Sequence, residues 1–183
     1  MALITSLLLL AVVTILALGM FRSFGSQEKI AGNMREKQRA LHAAELAQQY
    51  AEWWLSQGGN ATTATLTCDS SSLLNANLSQ GQICTNALDR DGLTTAPLQI
   101  GGANVGVTYN PGGNALNVTS SNFARDSYNQ IPRFYIADIG ASADATGEVY
   151  QIDAVGYGAI PSAIAVVEST FVVKTGVVDR GGP

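Results

Sequence analysis

The chain has 183 residues, with ten Lys/Arg against fourteen Asp/Glu, one His and two Cys, and a formal net charge of −4; this leaves room for one modest domain and an appendage. The acidity is uneven, since residues 22–57 carry five basic against four acidic side chains and residues 58–183 carry five against ten. That second part offers no basic stripe to grip phosphates, so nucleic acid is not an expected partner. The sequence also holds no glycine-rich phosphate cradle, Ser-His-Asp set or convincing carboxylate pair, so no catalytic, cofactor-binding or metal residue is assigned and no enzyme is expected.

The first element is "MALITSLLLLAVVTILALGMF", residues 1–21, which carries no charged side chain before Arg22. A secretory signal would show a basic start and a shorter apolar core. A buried core helix would show a polar face, but Thr5, Ser6, Thr14 and Gly19 form no continuous stripe. Twenty-one residues in a helix span roughly 31 Å, the thickness of a bilayer's hydrocarbon core, so a membrane span is the reading. Twelve of these residues are Leu, Ile, Val or Phe, which favours insertion by about 5 kcal/mol. The flanking charges lie only on the C-terminal side, which by the positive-inside rule places the domain in the cytoplasm.

No proline follows until Pro97. From Gln27 to Leu55, Ile30, Ala31, Met34, Leu41, Ala44, Ala47, Ala51 and Leu55 recur at threes, fours and sevens, the mark of an amphipathic helix. Gly58-Gly59 supplies a stop. One continuous helix over residues 1–57, roughly 85 Å long, is expected, loosened at Gly19, Gly25 and Gly32, each costing about 1 kcal/mol relative to Ala. Its apolar stripe needs a small domain to cover it. His42, the only histidine, has no partner for chemistry and reads as a surface or interface residue. Trp53 and Trp54 read as buried beneath the domain.

Residues 58–97 form a loop-rich region with one short helix expected at 71–78. Cys68 and Cys84 sit in a polar, Ser/Thr/Asn-rich setting with no His nearby and no second pair, against a zinc site. A disulfide is preferred over two free thiols; it implies an oxidising compartment and contributes about 3 kcal/mol through loop closure. That conflicts with the cytoplasmic orientation above. "DRDG" at 89–92 lacks an acidic residue at Ala87 and reads as a turn, not a calcium loop. Asn60, Asn77 and Asn117 each begin an N-x-S/T triplet and are given no role. Strands are expected at 98–109, 114–119, 133–139, 148–157 and 163–174, with turns at 110–114 and 156–162. Short connections make them an antiparallel sheet over residues 98–183, packed on the helix through Phe134, Ile136, Ile152, Val166 and Phe171.

"MALITSLLLL" followed by "QEKIAGNMREKQRALHAAELA" resembles the N-terminal region of PilX-type minor pilins of bacterial type IV pili, through Gln27, Glu28, Lys29, Ala31, Gly32, Asn33, Arg35, Glu36, Ala43, Ala44 and Glu45. "VYQIDAVGYGAIPSAIAVVESTFVV" at 149–173 is similar to that family's closing strand pair. The resemblance implies an α+β pilin-like fold, a long helix on an antiparallel sheet. It implies that a basic leader is cut off before Met1 and the new amino terminus methylated there, which resolves the orientation conflict. It implies a single-pass inner-membrane protein with a periplasmic head, which becomes extracellular in the assembled pilus. The implied partners are other minor pilins and the major pilin through the N-terminal helix, with a tip adhesin as a further candidate.

One residue departs from the resemblance. Major pilins carry a glutamate at the fifth mature position, thought to neutralise a neighbour's buried amine, and here that position is Thr5. A hydroxyl supplies no charge, and an unpaired buried ammonium is costly. The expectation is a subunit at or near the fibre tip that primes assembly, with the alternative that Thr5 is tolerated at a few sites along the fibre. The alternatives are a pseudopilin of a type II secretion system and a single-span envelope protein with a periplasmic binding head.

Overall fold

The computed structural model describes residues 2–57, 59–62, 66–68, 83–86, 88, 98–100, 103–111, 116, 118 and 127–174. Met1, the 71–78 helix, the 89–92 turn, Asn77 and Asn117 lie outside the described residues, as does most of the 114–119 strand. A single helix, α1, runs Ala2–Ser56. The chain divides into two compact units, Met1–Arg35 and Glu36–Pro183, taken here in turn.

In the first unit α1 contains the one described stretch long and apolar enough to cross a membrane, with a mean hydropathy of 2.6 and none of it buried. Its hydroxyls fold back on the helix: Thr5 Oγ1 donates to Ala2 O at 2.9 Å, Ser6 Oγ to Leu3 O at 3.0 Å and Thr14 Oγ1 to Ala11 O at 2.8 Å. A polar group so satisfied is far cheaper to place in an apolar medium.

In the second unit α1 ends where its carbonyls find side-chain and turn donors. Asn60 Nδ2 donates to Trp54 O at 2.8 Å, and the Gln57 amide donates to the same oxygen. Gly59 follows with φ +103°, the left-handed conformation expected of a helix stop.

Six strands follow: β1 Gln99–Ile100, β2 Ala103–Asn104, β3 Val107–Thr108, β4 Arg133–Ala141, β5 Gly147–Tyr157 and β6 Ile164–Lys174. β3, β4, β5 and β6 form one antiparallel sheet in that order, while β1 and β2 pair only with each other. The expected 98–109 strand is therefore three fragments. The break before β3 is Gly106 at φ +112°, a backbone conformation that a strand does not contain. The three long strands fall, within two residues at each end, where 133–139, 148–157 and 163–174 were expected.

The covered stripe of α1 is almost all alanine: Ala40, Ala43, Ala44, Ala47, Ala51, Trp54 and Leu55. Leu41, expected on it, is 40% exposed. It lies about 100° round the helix from Ala40, and the stripe follows the alanines. Small side chains let the helix backbone approach the sheet closely, and Phe134, Ile136, Ile152 and Ala154 are buried with them.

Val166 is a second correction, 48% exposed rather than packed on the helix. The register of β6 puts Ser169, whose hydroxyl reaches Glu52 of α1, and Phe171 on the helix side, and Val166 is out of phase with both.

Candidate assembly site

The second unit is clasped to α1 over residues 36–44. Glu36 Oε2 accepts the Ala159 amide at 2.7 Å, Lys37 Nζ donates to Ile164 O at 2.9 Å, and Arg39 Nη2 donates to Ser127 O at 2.7 Å. All three partners are backbone groups, in or beside the turn that joins β5 to β6 or in the segment leading to β4. Arg39 also lies 3.5 Å from Glu36 and 5.2 Å over the Tyr128 ring. The Glu36 and Arg39 bonds are partly buried, where a charged group bonded to a backbone dipole is stronger than in water, while the Lys37 bond is exposed.

Between these side chains the two backbones touch. A Cβ on Gly156 would stand 2.2 Å from both Ala40 O and Ala44 N, and one on Gly158 would stand 2.8 Å from Glu36 O. The "AVGYGA" and "ALHAAE" stretches thus meet in space, although more than a hundred residues separate them. Ala43 and Ala44 are fully buried there, whereas Glu45 faces outward with His42 Nδ1 at 3.2 Å from its carboxylate. His42 is a surface residue.

The remaining signature positions, Gln27, Glu28, Ala31, Gly32, Asn33 and Arg35, are exposed helical residues of the first unit. So are Ile30 and Met34. Thr5 is exposed, its hydroxyl proton directed to Ala2 O.

The two tryptophans separate. Trp54 is buried, while Trp53 is 37% exposed and stacks on Tyr50 at 5.6 Å. Sequence reasoning placed both inside; adjacent helical residues point about 100° apart, and that signal was available.

Cys68 and Cys84 are joined in a disulfide. The Leu66 amide donates to Ile83 O, the Cys84 amide to Ile136 O, and the Asp138 amide to Cys84 O. The bonded segments therefore add to the edge of β4 that also carries β3. Tyr135 is buried beside them and donates its phenol to Asn86 O at 2.5 Å. Burial, and then the nearby Asp153 carboxylate, pushes that phenol up to about 12.

A long helix, apolar and unburied along its first part and clasped through small residues to an antiparallel sheet, is the layout of the pilin class. Residues 1–48 match the family model described as PilX N-terminal, so this N-terminal region is similar to that of PilX-type type IV pilins. Residues 49–183, which include the whole sheet, lie outside the match. No curated protein and no solved structure matches the chain.

Proposed function

We propose that the protein is a minor pilin, a non-catalytic structural subunit that acts at or near the tip of a type IV pilus and primes its assembly. The observation that carries this reading is the PilX-type N-terminal region on an unburied apolar helix. A helix of that kind is held by lipid before assembly and by sister helices afterwards, the inner membrane first and other pilins later. The head is then periplasmic before assembly and extracellular in the fibre, in keeping with the disulfide.

The tip placement rests on Thr5. Its hydroxyl is already bonded to Ala2 O and supplies no charge to a neighbour's amine. A subunit that cannot neutralise the next amine fits best with no subunit above it.

Immunogold labelling of sheared fibres with antibody to the head tests the reading. Label at fibre ends is the expected result, and it should persist in Thr5→Glu. Uniform label along unaltered fibres would remove the tip placement, and absence from the fibres would remove the pilin role. Mass spectrometry of the same fibres reads whether the amino terminus is an N-methylated Met1. A deletion strain that keeps its pili but loses secretion would instead favour a pseudopilin.

A further inference from the structure

β6 is the outermost strand of its sheet, and among the described residues it pairs with β5 alone. Its 11 residues run from Ile164 to Lys174 without a shift of register and without proline, and Glu168 and Lys174 are the only charged side chains among them. Most sheet edges are short, bulged or lined with charge, which keeps them from pairing with another chain. This edge has only those two charges.

The ladder shows which backbone groups the edge offers. The Gly158 amide donates to Ala163 O at 2.7 Å, and bonded pairs alternate along an antiparallel ladder, so Tyr157 and Ile164 face each other without mutual bonds. Ile164 O accordingly points away from β5, and Lys37 Nζ takes it at 2.9 Å. Beyond it, the N–H and C=O groups of Val166, Glu168, Thr170, Val172 and Lys174 point to the open edge. The side chains of the same residues are exposed.

We propose that this edge pairs antiparallel with β6 of a second copy of the chain, with Phe171 of each strand at the twofold axis and Glu168 of each opposite Lys174 of the other. Two requirements select that register. Residues with outward groups must face one another, which excludes every second alignment. Of the alignments left, this is the one that sets both charges of each strand against opposite charges. A pairing centred on Glu168 would oppose two carboxylates, and one centred on Ser169 would set Lys174 against Ile164, whose carbonyl Lys37 already holds. In the selected register Thr170 lies opposite Val172, and Phe171 meets its own copy across a non-bonded pair, where side chains stand closest. Lys174 also lies 3.2 Å from Asp144 of its own chain, an exposed ion pair that contributes little. Main-chain bonds supply the affinity of such an added strand, and the two charge pairs, repeated by the twofold, supply its choice of partner. The pilin reading is not used at any step.

The twofold runs the two copies of α1 in opposite directions, so the test uses the full chain at one copy per detergent micelle, where heads meet freely. Sedimentation velocity should show a monomer–dimer equilibrium with a Kd of the order of 10–100 μM, as expected of a small interface. Glu168→Lys sets lysine against lysine at both ends of the paired segment and should weaken the dimer about tenfold. The double change Glu168→Lys, Lys174→Glu restores opposite charges and should restore the dimer. Circular dichroism melts establish that both variants fold. A chain that stays monomeric overturns the proposal and leaves the edge to a strand of another protein. A dimer that survives Glu168→Lys overturns it by placing association elsewhere, and so does a folded double variant that fails to pair. None of these outcomes bears on where the protein sits in a fibre.

Discussion

Gly156 is glycine because the backbone of α1 occupies the place where its side chain would be. A methyl group there meets Ala40 O and Ala44 N, both main-chain atoms that cannot rotate away. Gly156→Ala should therefore destabilise the second unit by about 2–3 kcal/mol, the upper range for overpacking against a rigid wall. Urea denaturation of the full chain in detergent, followed by circular dichroism, measures this, and a change under about 0.5 kcal/mol, the scatter of an ordinary surface substitution, would show that the helix can lift away. Tyr135 makes a second residue-level case, this time through pH. Its folded-state phenol is raised to about 12 from an ordinary 10.0, so the folded protein holds that proton more tightly than the unfolded chain. The resulting stability is fully present below pH 10 and is lost as pH rises from 10 to 12, by roughly 2–3 kcal/mol for this one group. Tyr50, Tyr150 and Tyr157 are raised in the same direction by burial and add to the loss. Tyr135→Phe should flatten part of this alkaline fall in denaturation curves taken across the interval. An unchanged slope would mean that Tyr135 titrates as it does in the unfolded chain.

At the scale of elements, the disulfide attaches a segment to the sheet. Cys84 bonds to β4 through Ile136 and Asp138, and Cys68, bonded to the Asn86 side chain, holds the Leu66–Cys68 segment beside it. With a separation of 16 residues, loop closure accounts for about 3 kcal/mol. The double change Cys68→Ser, Cys84→Ser should lower stability by that amount and leave α1 intact, measured by urea titration with helical content as the control. How far such elements are legible in the sequence depends on whether the signal is local. α1 was legible end to end because a proline-free apolar run passes into a 3.6-residue pattern and stops at glycines. β4, β5 and β6 were legible from β-branched runs between turn residues. The facing of β6 was not, because Val166 and Val172 are as apolar as Phe171 and only the register with β5 decides which side is covered. The fragmentation of 98–109 was missed because one glycine at positive φ outweighs a good strand composition. Of the candidate site, the apolar span and the cysteine pair were visible beforehand. The clasp was not, since Glu36, Lys37 and Arg39 look like solvated charges until the fold brings backbone groups to them.

At the scale of the molecule, the two units answer to different solvents. The first carries an apolar stretch with none of it buried, and in water that surface has nothing to cover it. The second has a core formed by α1, the sheet and the cysteine segments. If the second unit supplies its own stability, a chain of residues 30–183 should be soluble without detergent and should melt in one cooperative transition, since it retains Glu36, Lys37, Arg39 and the whole alanine stripe. Shortening it further, to residues 40–183, keeps the stripe but removes the three charged side chains that hold Ala159, Ile164 and Ser127. Hydrogen bonds to charged groups contribute about 1.5–3 kcal/mol each when buried; the Glu36 and Arg39 bonds are partly buried and the Lys37 bond is exposed and adds little, which gives an expected loss of about 2–3 kcal/mol for the three together. Thermal melts of the two truncated chains at equal concentration make the comparison. Equal melting would mean that the alanine stripe alone fixes the helix to the sheet and that the clasp serves only orientation. A shorter chain that melts earlier would locate the rigid grip between helix and head at residues 36–39, where the family match and the sheet come together in one structure.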